Sequence, residues 1–409
     1  MRTRATTHGS DGASRLDSTG EQRAAATPSV ISRSALDELI SELASRGFTV
    51  IGPTVRDRTI LYEEISSTAD LPEGLTDEQE GGSYRLAERD DSALFAYNVG
   101  PNSWKSHLFP SRLTLWRGHK GADGEIHFKE EAQEVPRYAF IGVRSCDLAA
   151  IGVQDKVFIG NGYTDPDYEA RRQDAFIVAV NCSKAGNTCF CVSMETGPKA
   201  RSGFDLALTE LIDEGGHRFL VEVGSEAGAE LLSTIEGEAA TQDDRGRAEE
   251  VSEECASQMG RELDTDGIKE LLYRNMENPR WDEVSERCLT CGNCPLVCPT
   301  CFCHTVEDVT DLAGEEAERV RLLDSCFTLD HSYIHGGSVR NSARSRYRQW
   351  MTHKLATWID QFGTSGCVGC GRCITWCPVA IDITEEAAAI RASDLGPNPD
   401  EGRGISADH

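Results

Sequence analysis

Two stretches of the 409-residue chain decide its fold: residues 288–299 read CLTCGNCPLVCP, and residues 367–378 read CVGCGRCITWCP. Each stretch carries three cysteines at intervals of three residues, then a fourth cysteine four positions further on, and then a proline. Three thiolates at this spacing fit in one tight loop around a corner of a cubic iron–sulfur cluster. Both stretches are therefore candidate cluster sites.

The presence of two copies predicts which cysteines share a cluster. In two-cluster ferredoxins the fourth cysteine of each stretch binds the other cluster. Zinc is the alternative for any CxxC pair, but a structural zinc site requires neither a third cysteine at the same interval nor a terminal Cys-Pro. We therefore predict two [4Fe–4S] clusters, one bound by Cys288, Cys291, Cys294 and Cys377, and one bound by Cys367, Cys370, Cys373 and Cys298.

Two apolar runs upstream predict buried strands. Residues 138–143 and 175–180 are continuously apolar, which is typical of parallel strands covered on both faces. Ligands in open α/β sheets lie beyond the carboxyl ends of such strands. Cys146 and Cys182 follow the two runs closely, and Cys189 and Cys191 are near Cys182 in the sequence. We predict that these four thiols bind a third [4Fe–4S] cluster; zinc binding and simple burial of the thiols are the alternatives.

Four cysteines have no place in these sets. Cys301 and Cys303 follow the first stretch directly, and together with Cys326 they are interpreted as core residues packed near a cluster. A fourth metal site there lacks an obvious fourth ligand. Cys255 lies in an acidic segment and is interpreted as having no special role.

The predicted fold class is mixed, α+β or α/β. An amino-terminal α/β domain with cysteines at its strand ends precedes a helical, two-cluster ferredoxin-like domain with a large insertion. The predicted boundaries are a disordered tail over 1–33, the α/β domain over 34–240, an acidic helical linker over 241–279, the ferredoxin-like domain over 280–393 with its insertion over 299–366, and a disordered tail over 394–409.

Composition excludes several classes of function. With 41 Lys and Arg against 68 Asp and Glu, the net charge is −27, which disfavours nucleic acid and anionic membranes as partners. No apolar run is long enough for a membrane span. The first thirty residues lack the apolar centre of a secretory signal, so we expect a cytoplasmic protein.

Motifs for catalysis and nucleotide binding are also missing from the sequence. It contains no GxGxxG after a strand, no Walker A, no HExxH and no GxSxG. We therefore expect no catalytic residues in this chain, which would be a non-catalytic part of an oxidoreductase complex. A helix predicted from about 343 to 361 begins within a basic stretch, whose Arg340, Arg344, Arg346 and Arg348 are candidates for tuning a cluster potential or docking a partner. An ordinary polar helix face is the alternative for this stretch.

Beyond the spacing itself, longer stretches resemble one 4Fe–4S dicluster family. They are CLTCGNCPLVCPTCFC at 288–303, DSC at 324–326, GCVGCGRCITWCPVAID at 366–382, VRSCDLAAI at 143–151 and the segment NCSKAGNTCFCVSM at 181–194. The family contains the beta (iron–sulfur) subunit of cytoplasmic NAD(P)-linked [NiFe] hydrogenases, or sulfhydrogenases, and the electron-transfer subunit of anaerobic sulfite reductase. The resemblance covers roughly residues 34–393.

The resemblance implies an electron-transfer subunit. Its implied partners are a flavin subunit that binds NAD(P)H and the small and large hydrogenase subunits. The segments LVCPTCFC and TCFCVSM favour the hydrogenase. An electron-transfer protein that feeds the sirohaem subunit of a sulfite reductase is the alternative. A redox sensor or scaffold, whose clusters only support the fold, is the second alternative.

Overall fold

A computed structural model describes residues 27–130, 135–160 and 162–396. The strands are β1 (Ser29–Ser32), β2 (Thr49–Arg56), β3 (Thr59–Glu64), β4 (Leu75–Glu80), β5 (Ser83–Glu88), β6 (Arg112–Lys120), β7 (Ile126–Glu130), β8 (Tyr138–Val143), β9 (Phe176–Val180), β10 (Leu206–Asp213), β11 (Gly216–Val223), β12 (Glu238–Ala239), β13 (His304–Thr310) and β14 (Glu316–Leu323).

The helices alternate with the strands in the first half and dominate the second. They are α1 (Arg33–Ser45), α2 (Lys105–Leu108), α3 (Ser145–Phe158), α4 (Pro166–Gln173), α5 (Glu226–Leu232), α6 (Gln242–Ser257), α7 (Ile268–Arg274), α8 (Arg280–Arg287), α9 (Asn293–Val297), α10 (Ala343–Thr352), α11 (Trp358–Phe362), α12 (Arg372–Thr375) and α13 (Ile383–Ala392). A 3₁₀ turn covers Thr68–Asp70, and a π-helical turn over His353–Thr357 joins α10 to α11.

The main sheet has eight strands in the order β12-β1-β11-β10-β9-β8-β2-β3. Its four central strands, β10, β9, β8 and β2, are parallel, and the strands outside them pair antiparallel. Strand β8 covers the predicted residues, and β9 begins one residue later than predicted. Because both strands are buried almost throughout, their continuous apolar sequence reflects cover on both faces.

Helices cover the two faces of this sheet. Helix α1 packs Leu36, Leu39 and Ile40 against one face, and α3 and α4 pack on the other. Helix α1 begins at Arg33 because the side chain of Ser32 caps it by accepting a hydrogen bond from the Ala35 N–H. The mixed α/β class predicted from the sequence is confirmed.

The insertion between the two cysteine stretches contributes to a second sheet. Strands β13 and β14 form a hairpin, and β14 pairs antiparallel with β6, giving the order β13-β14-β6-β7. The predicted boundary at residue 280 therefore does not separate two folding units, since strands from both sides of it share this sheet. Outside this hairpin, the regular elements between residues 280 and 396 are helical, as the sequence predicts.

The ends of two predicted segments need correction. The predicted tail over 1–33 reaches too far, because β1 pairs with β11 and Arg33 starts α1. The predicted linker over 241–279 contains α6, whose Ala248 and Val251 pack against Leu211 and Leu220 of the sheet. This helix therefore belongs to the α/β domain. The remaining tail residues 1–26 and 397–409 lie outside the described residues.

Helices α7, α8, α10 and α13 surround a further apolar core. Its largest side chains are Trp281, Tyr347 and Trp350, and the cysteine stretches border it. In the described ranges, no helix is long and apolar enough to cross a membrane.

Candidate iron–sulfur centres

The first group of thiols lines a cavity at the protein surface. We call Cys288, Cys291, Cys294 and Cys377 thiol group 1; all four line the cavity together with Phe327, Tyr347 and Trp350. The short helix α9 begins after Gly292, which has a φ of 76°, and this left-handed turn presents Cys294 to the cavity. Cys291 is exposed, and the other three are partly buried. The structure thus brings together the four cysteines predicted to share the first cluster.

The second group lies deeper. Thiol group 2 comprises Cys298, Cys367, Cys370 and Cys373. Burial raises the pKa of Cys367 to about 12, and the pKa values of Cys370 and Cys373 are raised for the same reason. The Thr300 hydroxyl lies 3.2 Å from the Cys298 sulfur and donates to the carbonyl of Gly366 at 2.6 Å, which holds Cys298 beside the start of the second stretch. The structure therefore places Cys298 with the second stretch and Cys377 with the first, as the crossed pattern predicts.

The third group gathers at the carboxyl ends of β8 and β9. Thiol group 3 comprises Cys146, Cys182, Cys189 and Cys191. Cys146 lies in the first turn of α3, and Cys182 follows β9. Burial raises the pKa of Cys189 to about 12, and the neighbouring charges of Cys182 and Cys370 add to it. The charges of Cys189, Cys182 and Cys370 likewise raise the pKa of Cys191. The strand ends thus bring the four predicted thiols into one region beside group 2.

Two glycines allow groups 2 and 3 to approach each other. The N–H of Phe190 donates to the carbonyl of Gly369 at 2.9 Å, and a Cβ on Gly371 would lie 2.4 Å from the carbonyl oxygen of Thr188. Both glycines have positive φ, so backbone conformation and backbone contact exclude a side chain there. The loop carrying Cys189 and Cys191 therefore packs directly on the second cysteine stretch.

Cationic side chains are buried around group 2. The guanidinium of Arg372 is fully buried, pairs with both oxygens of Asp147 at 2.7 and 2.9 Å, and donates to the carbonyl of Gly100. The Lys354 ammonium donates to the Thr300 hydroxyl at 2.8 Å and to the Gly366 carbonyl at 3.2 Å. Burial opposes a charge on Lys354, but nearby Cys298 and Cys301 raise its pKa well above the ordinary value.

Two more buried cations contact the backbone near the thiols. The Lys105 ammonium donates to the carbonyls of Cys298 and Cys301 at 2.8 and 3.1 Å. Arg144, immediately after β8, donates to the carbonyls of Phe95 and Tyr97 at 2.7 and 3.0 Å. None of these four cations was among the arginines singled out in the sequence, because a single lysine or arginine carries no sign of its burial.

The arginines singled out in the sequence have other partners. Arg344 and Arg348 donate to Glu277 at 2.9 and 3.1 Å, and Arg346 donates to the carbonyls of Phe327 and Arg340. Arg340 donates to the Ser332 hydroxyl. These contacts fix α10 to neighbouring surface segments. The charge of Arg346 also opposes the rise in the pKa of Cys288 in group 1, and the tuning or docking role of the four arginines stays a prediction.

The remaining cysteines form thiol pairs. The thiols of Cys301 and Cys298, of Cys303 and Cys326, and of Cys255 and Cys182 lie close enough to shift each other's pKa values. The first two pairs fit the predicted packing near the clusters. The position of Cys255 beside group 3 was missed, since 63 residues separate it from Cys191 in the sequence and no motif links them.

The donor chemistry of the three groups fits iron–sulfur clusters. Each group offers four sulfur ligands, with basic side chains or backbone N–H groups near them that offset the negative charge of a thiolate-bound cluster. Across the part of the chain that the structure describes, no three His, Cys, Asp or Glu side chains are arranged to hold a single metal ion.

Fold and thiol groups together define a class: an iron–sulfur protein with a dicluster domain joined to an α/β domain. Residues 287–381 match the family model of a 4Fe-4S dicluster domain. The chain is 36% identical over 269 residues to sulfhydrogenase 2 subunit beta of Pyrococcus furiosus, and the match covers 64% of this chain and 78% of that protein. No solved structure matches.

The chain belongs to the family of sulfhydrogenase beta subunits. It is an iron–sulfur electron-transfer protein with at least two [4Fe–4S] clusters. The family predicted from the cysteine stretches and the two predicted clusters are thereby confirmed.

Proposed function

We propose that the chain is the electron-relay subunit of a cytoplasmic [NiFe] hydrogenase, between a flavin subunit that binds NAD(P)H and the small and large hydrogenase subunits. The observation that carries this proposal is the unbroken series of thiol groups. Cys373 of group 2 lines the cavity of group 1. Cys370 of group 2 is close enough to Cys146 and Cys191 of group 3 that its charge raises their pKa values. A series of neighbouring cluster sites is what a relay requires.

The three groups would bind three clusters. Group 1 holds the cluster nearest the surface, because Cys291 is exposed and its cavity opens there. Group 2 holds the central cluster, and the region of group 3 holds a third. A [4Fe–4S] cluster takes up and releases one electron at a time.

The chain's own residues prepare the central site for that chemistry. Burial of Cys298, Cys367 and Cys370 excludes water, and Arg372 and Lys354 place fixed positive charge near them. Added positive charge favours the reduced form of a cluster, which carries one more electron. The same residues satisfy buried carbonyls, so their positions are fixed before any electron arrives.

The first test isolates the complex anaerobically through this chain and measures its metals and prosthetic groups. We expect nickel and flavin to be present, and about 12 iron atoms attributable to this chain. Sirohaem iron without nickel would contradict the hydrogenase assignment in favour of a sulfite reductase. If neither NAD(P)H nor hydrogen reduces the clusters of this chain, the relay is contradicted and a scaffold role is favoured.

A variant tests the relay directly. Cys291→Ser removes the exposed thiolate of group 1, so we expect hydrogen-dependent NAD(P) reduction to be largely lost while the hydrogenase subunits still reduce an artificial dye. Leu289→Ser, an exposed change in the same loop that removes no thiolate, is the matched control and should keep activity. Unchanged NAD(P) turnover in the Cys291 variant would show that electrons do not need group 1.

A further inference from the structure

We propose that Cys255, in place of Cys146, completes the third cluster site with Cys182, Cys189 and Cys191. The proposal rests on the third cluster of the proposed function and names its fourth ligand. Five thiols lie in this region, whereas a [4Fe–4S] cluster takes four. Their surroundings distinguish the two candidates for the fourth position.

Cys255 is directed at the thiols. It lies in the last turn of α6 and is wholly buried, although the helix is acidic. Val251, one turn earlier, packs with the apolar side chains of the sheet. The thiol of Cys255 instead lies close to the thiol of Cys182, and the neighbouring charges of Cys182, Cys191 and Cys189 raise its pKa.

The segment that follows α6 packs on the loop that carries Cys189 and Cys191. The N–H of Arg261 donates to the carbonyl of Cys189 at 3.1 Å, and the sulfurs of Met259 and Cys191 are 3.9 Å apart. A Cβ on Gly260 would lie 2.1 Å from the carbonyl oxygen of Asn187, so the two backbones are in close contact. These contacts fix the end of α6, and with it Cys255, against the loop that carries the other ligands.

Cys146 has different surroundings. It packs in a small apolar cluster with Val99, Ala150 and Val368, where Cys370 of group 2 and Cys191 are its sulfur neighbours. Among the charged groups, the Asp147 carboxylate acts on it most strongly. Arg372, which is paired with that carboxylate, offsets part of its effect on Cys146.

The sulfur neighbours of the two candidates also differ. The charges of Cys182, Cys191 and Cys189, the three other ligands, all act on the Cys255 thiol, whereas the sulfur neighbours of Cys146 are Cys191 and, from group 2, Cys370. We therefore place the cluster among Cys182, Cys189, Cys191 and Cys255, and assign Cys146 to the packing between groups 2 and 3.

The experiment compares alanine variants of the full chain, each purified anaerobically in its complex. Alanine removes the sulfur without offering an oxygen ligand in its place. Iron and acid-labile sulfide are counted per complex, and the spins of the reduced clusters are integrated by EPR. We expect Cys255→Ala to lose about four iron and four sulfide relative to the native complex, and Cys146→Ala to lose none.

Val251→Ala is the matched control, since it shortens a buried side chain on the same helix without touching a thiol. It should keep the full iron content; a loss of about four iron there would mean that helix packing explains the result, and would overturn the proposal. Full iron content in Cys255→Ala, or loss in Cys146→Ala, would overturn it as well. If the native complex shows only about 8 iron atoms from this chain, the third cluster itself is absent, and that part of the proposed function fails with it.

Discussion

At the scale of single residues, the buried Arg372 joins the two halves of the protein. It belongs to the second cysteine stretch, while its partners Asp147 and Gly100 come from the α/β half. Both members of the ion pair are almost completely buried. Removing one member of such a pair lowers the stability of the fold because the other charge stays buried without compensation.

Replacement of Arg372 tests this contact. Arg372→Gln should lower the free energy of unfolding by about 3–5 kcal/mol, since the Asp147 carboxylate loses its partner. Chemical denaturation under anaerobic conditions measures the change. The double variant Arg372→Gln with Asp147→Asn replaces both charges by amides and should recover part of the stability. If the double variant is no more stable than the single one, the pairing is not the source of the loss.

Lys354 permits a test of the electrostatic role of the buried cations. Lys354→Met keeps the length of the side chain but removes a charge near Cys298. The reduced cluster of group 2 then loses stabilisation, so its reduction potential should become more negative. Potentiometric EPR measures the potential. Arg348→Gln, a change on the same helical region that affects an ion pair with Glu277, is the control and should leave the potential unchanged.

At the scale of elements, the contact between the loop at 188–191 and the turn before α12 determines the separation of groups 2 and 3. Gly371→Ala introduces a Cβ against the Thr188 carbonyl and strains a φ of 74°. We expect a loss of about 1–3 kcal/mol in stability, measured by chemical denaturation. The loop at 188–191 should also be displaced, and the EPR interaction between neighbouring clusters should change.

Gly363→Ala separates backbone strain from contact. Gly363 has a similar φ of 69°, but a Cβ there meets nothing within 4 Å. This variant should lose less stability than Gly371→Ala and leave the EPR spectra as they are. Equal effects in both variants would show that strain alone, and not the close approach of the loops, is responsible.

Elements whose signal is local were predicted well. The apolar runs of β8 and β9 and the two cysteine stretches carry their information in consecutive residues, and the structure has the strands where the runs predict them. The position of Cys255 and the burial of Lys354 depend on contacts between segments far apart in the chain. Neither spacing nor composition contains that information, so the sequence indicated no role for Cys255 and did not reveal that Lys354 is buried.

The sequence did not predict the pairing between β6 and β14, for a related reason. The alternation within a hairpin predicts strands but does not reveal which distant strand lies beside them. The insertion over 299–366 was therefore expected within a helical domain. Its hairpin instead extends a sheet that begins almost 200 residues earlier, at Arg112.

At the scale of the whole molecule, the clusters support one half of the fold more than the other. Groups 1 and 2 border the helical core around Trp281 and Trp350, whereas the eight-stranded sheet has two apolar cores of its own. Metal binding contributes to folding wherever the ligands are brought together only by the folded chain. Loss of clusters should therefore loosen the helical half first.

Hydrogen exchange on the cluster-free protein tests this expectation. After oxidative removal of iron, amides of α8, α10 and α13 should exchange much faster, and amides of β8, β9 and β10 should stay protected. The native protein in the same buffer is the reference. Uniform loss of protection over both halves would mean that the sheet also depends on the clusters.

The crossed arrangement of thiol groups 1 and 2 also constrains how the protein matures. Cys377 lies with the first stretch and Cys298 with the second. A nascent chain that has left the ribosome only as far as Pro299 therefore offers an incomplete ligand set for group 1, and of group 2 it offers Cys298 alone. The missing ligands emerge only once the second stretch, residues 367–378, has been synthesised. Delivery of iron and sulfide by the assembly machinery must therefore follow translation of both stretches, and the hairpin between them has time to reach β6 before either cluster is complete.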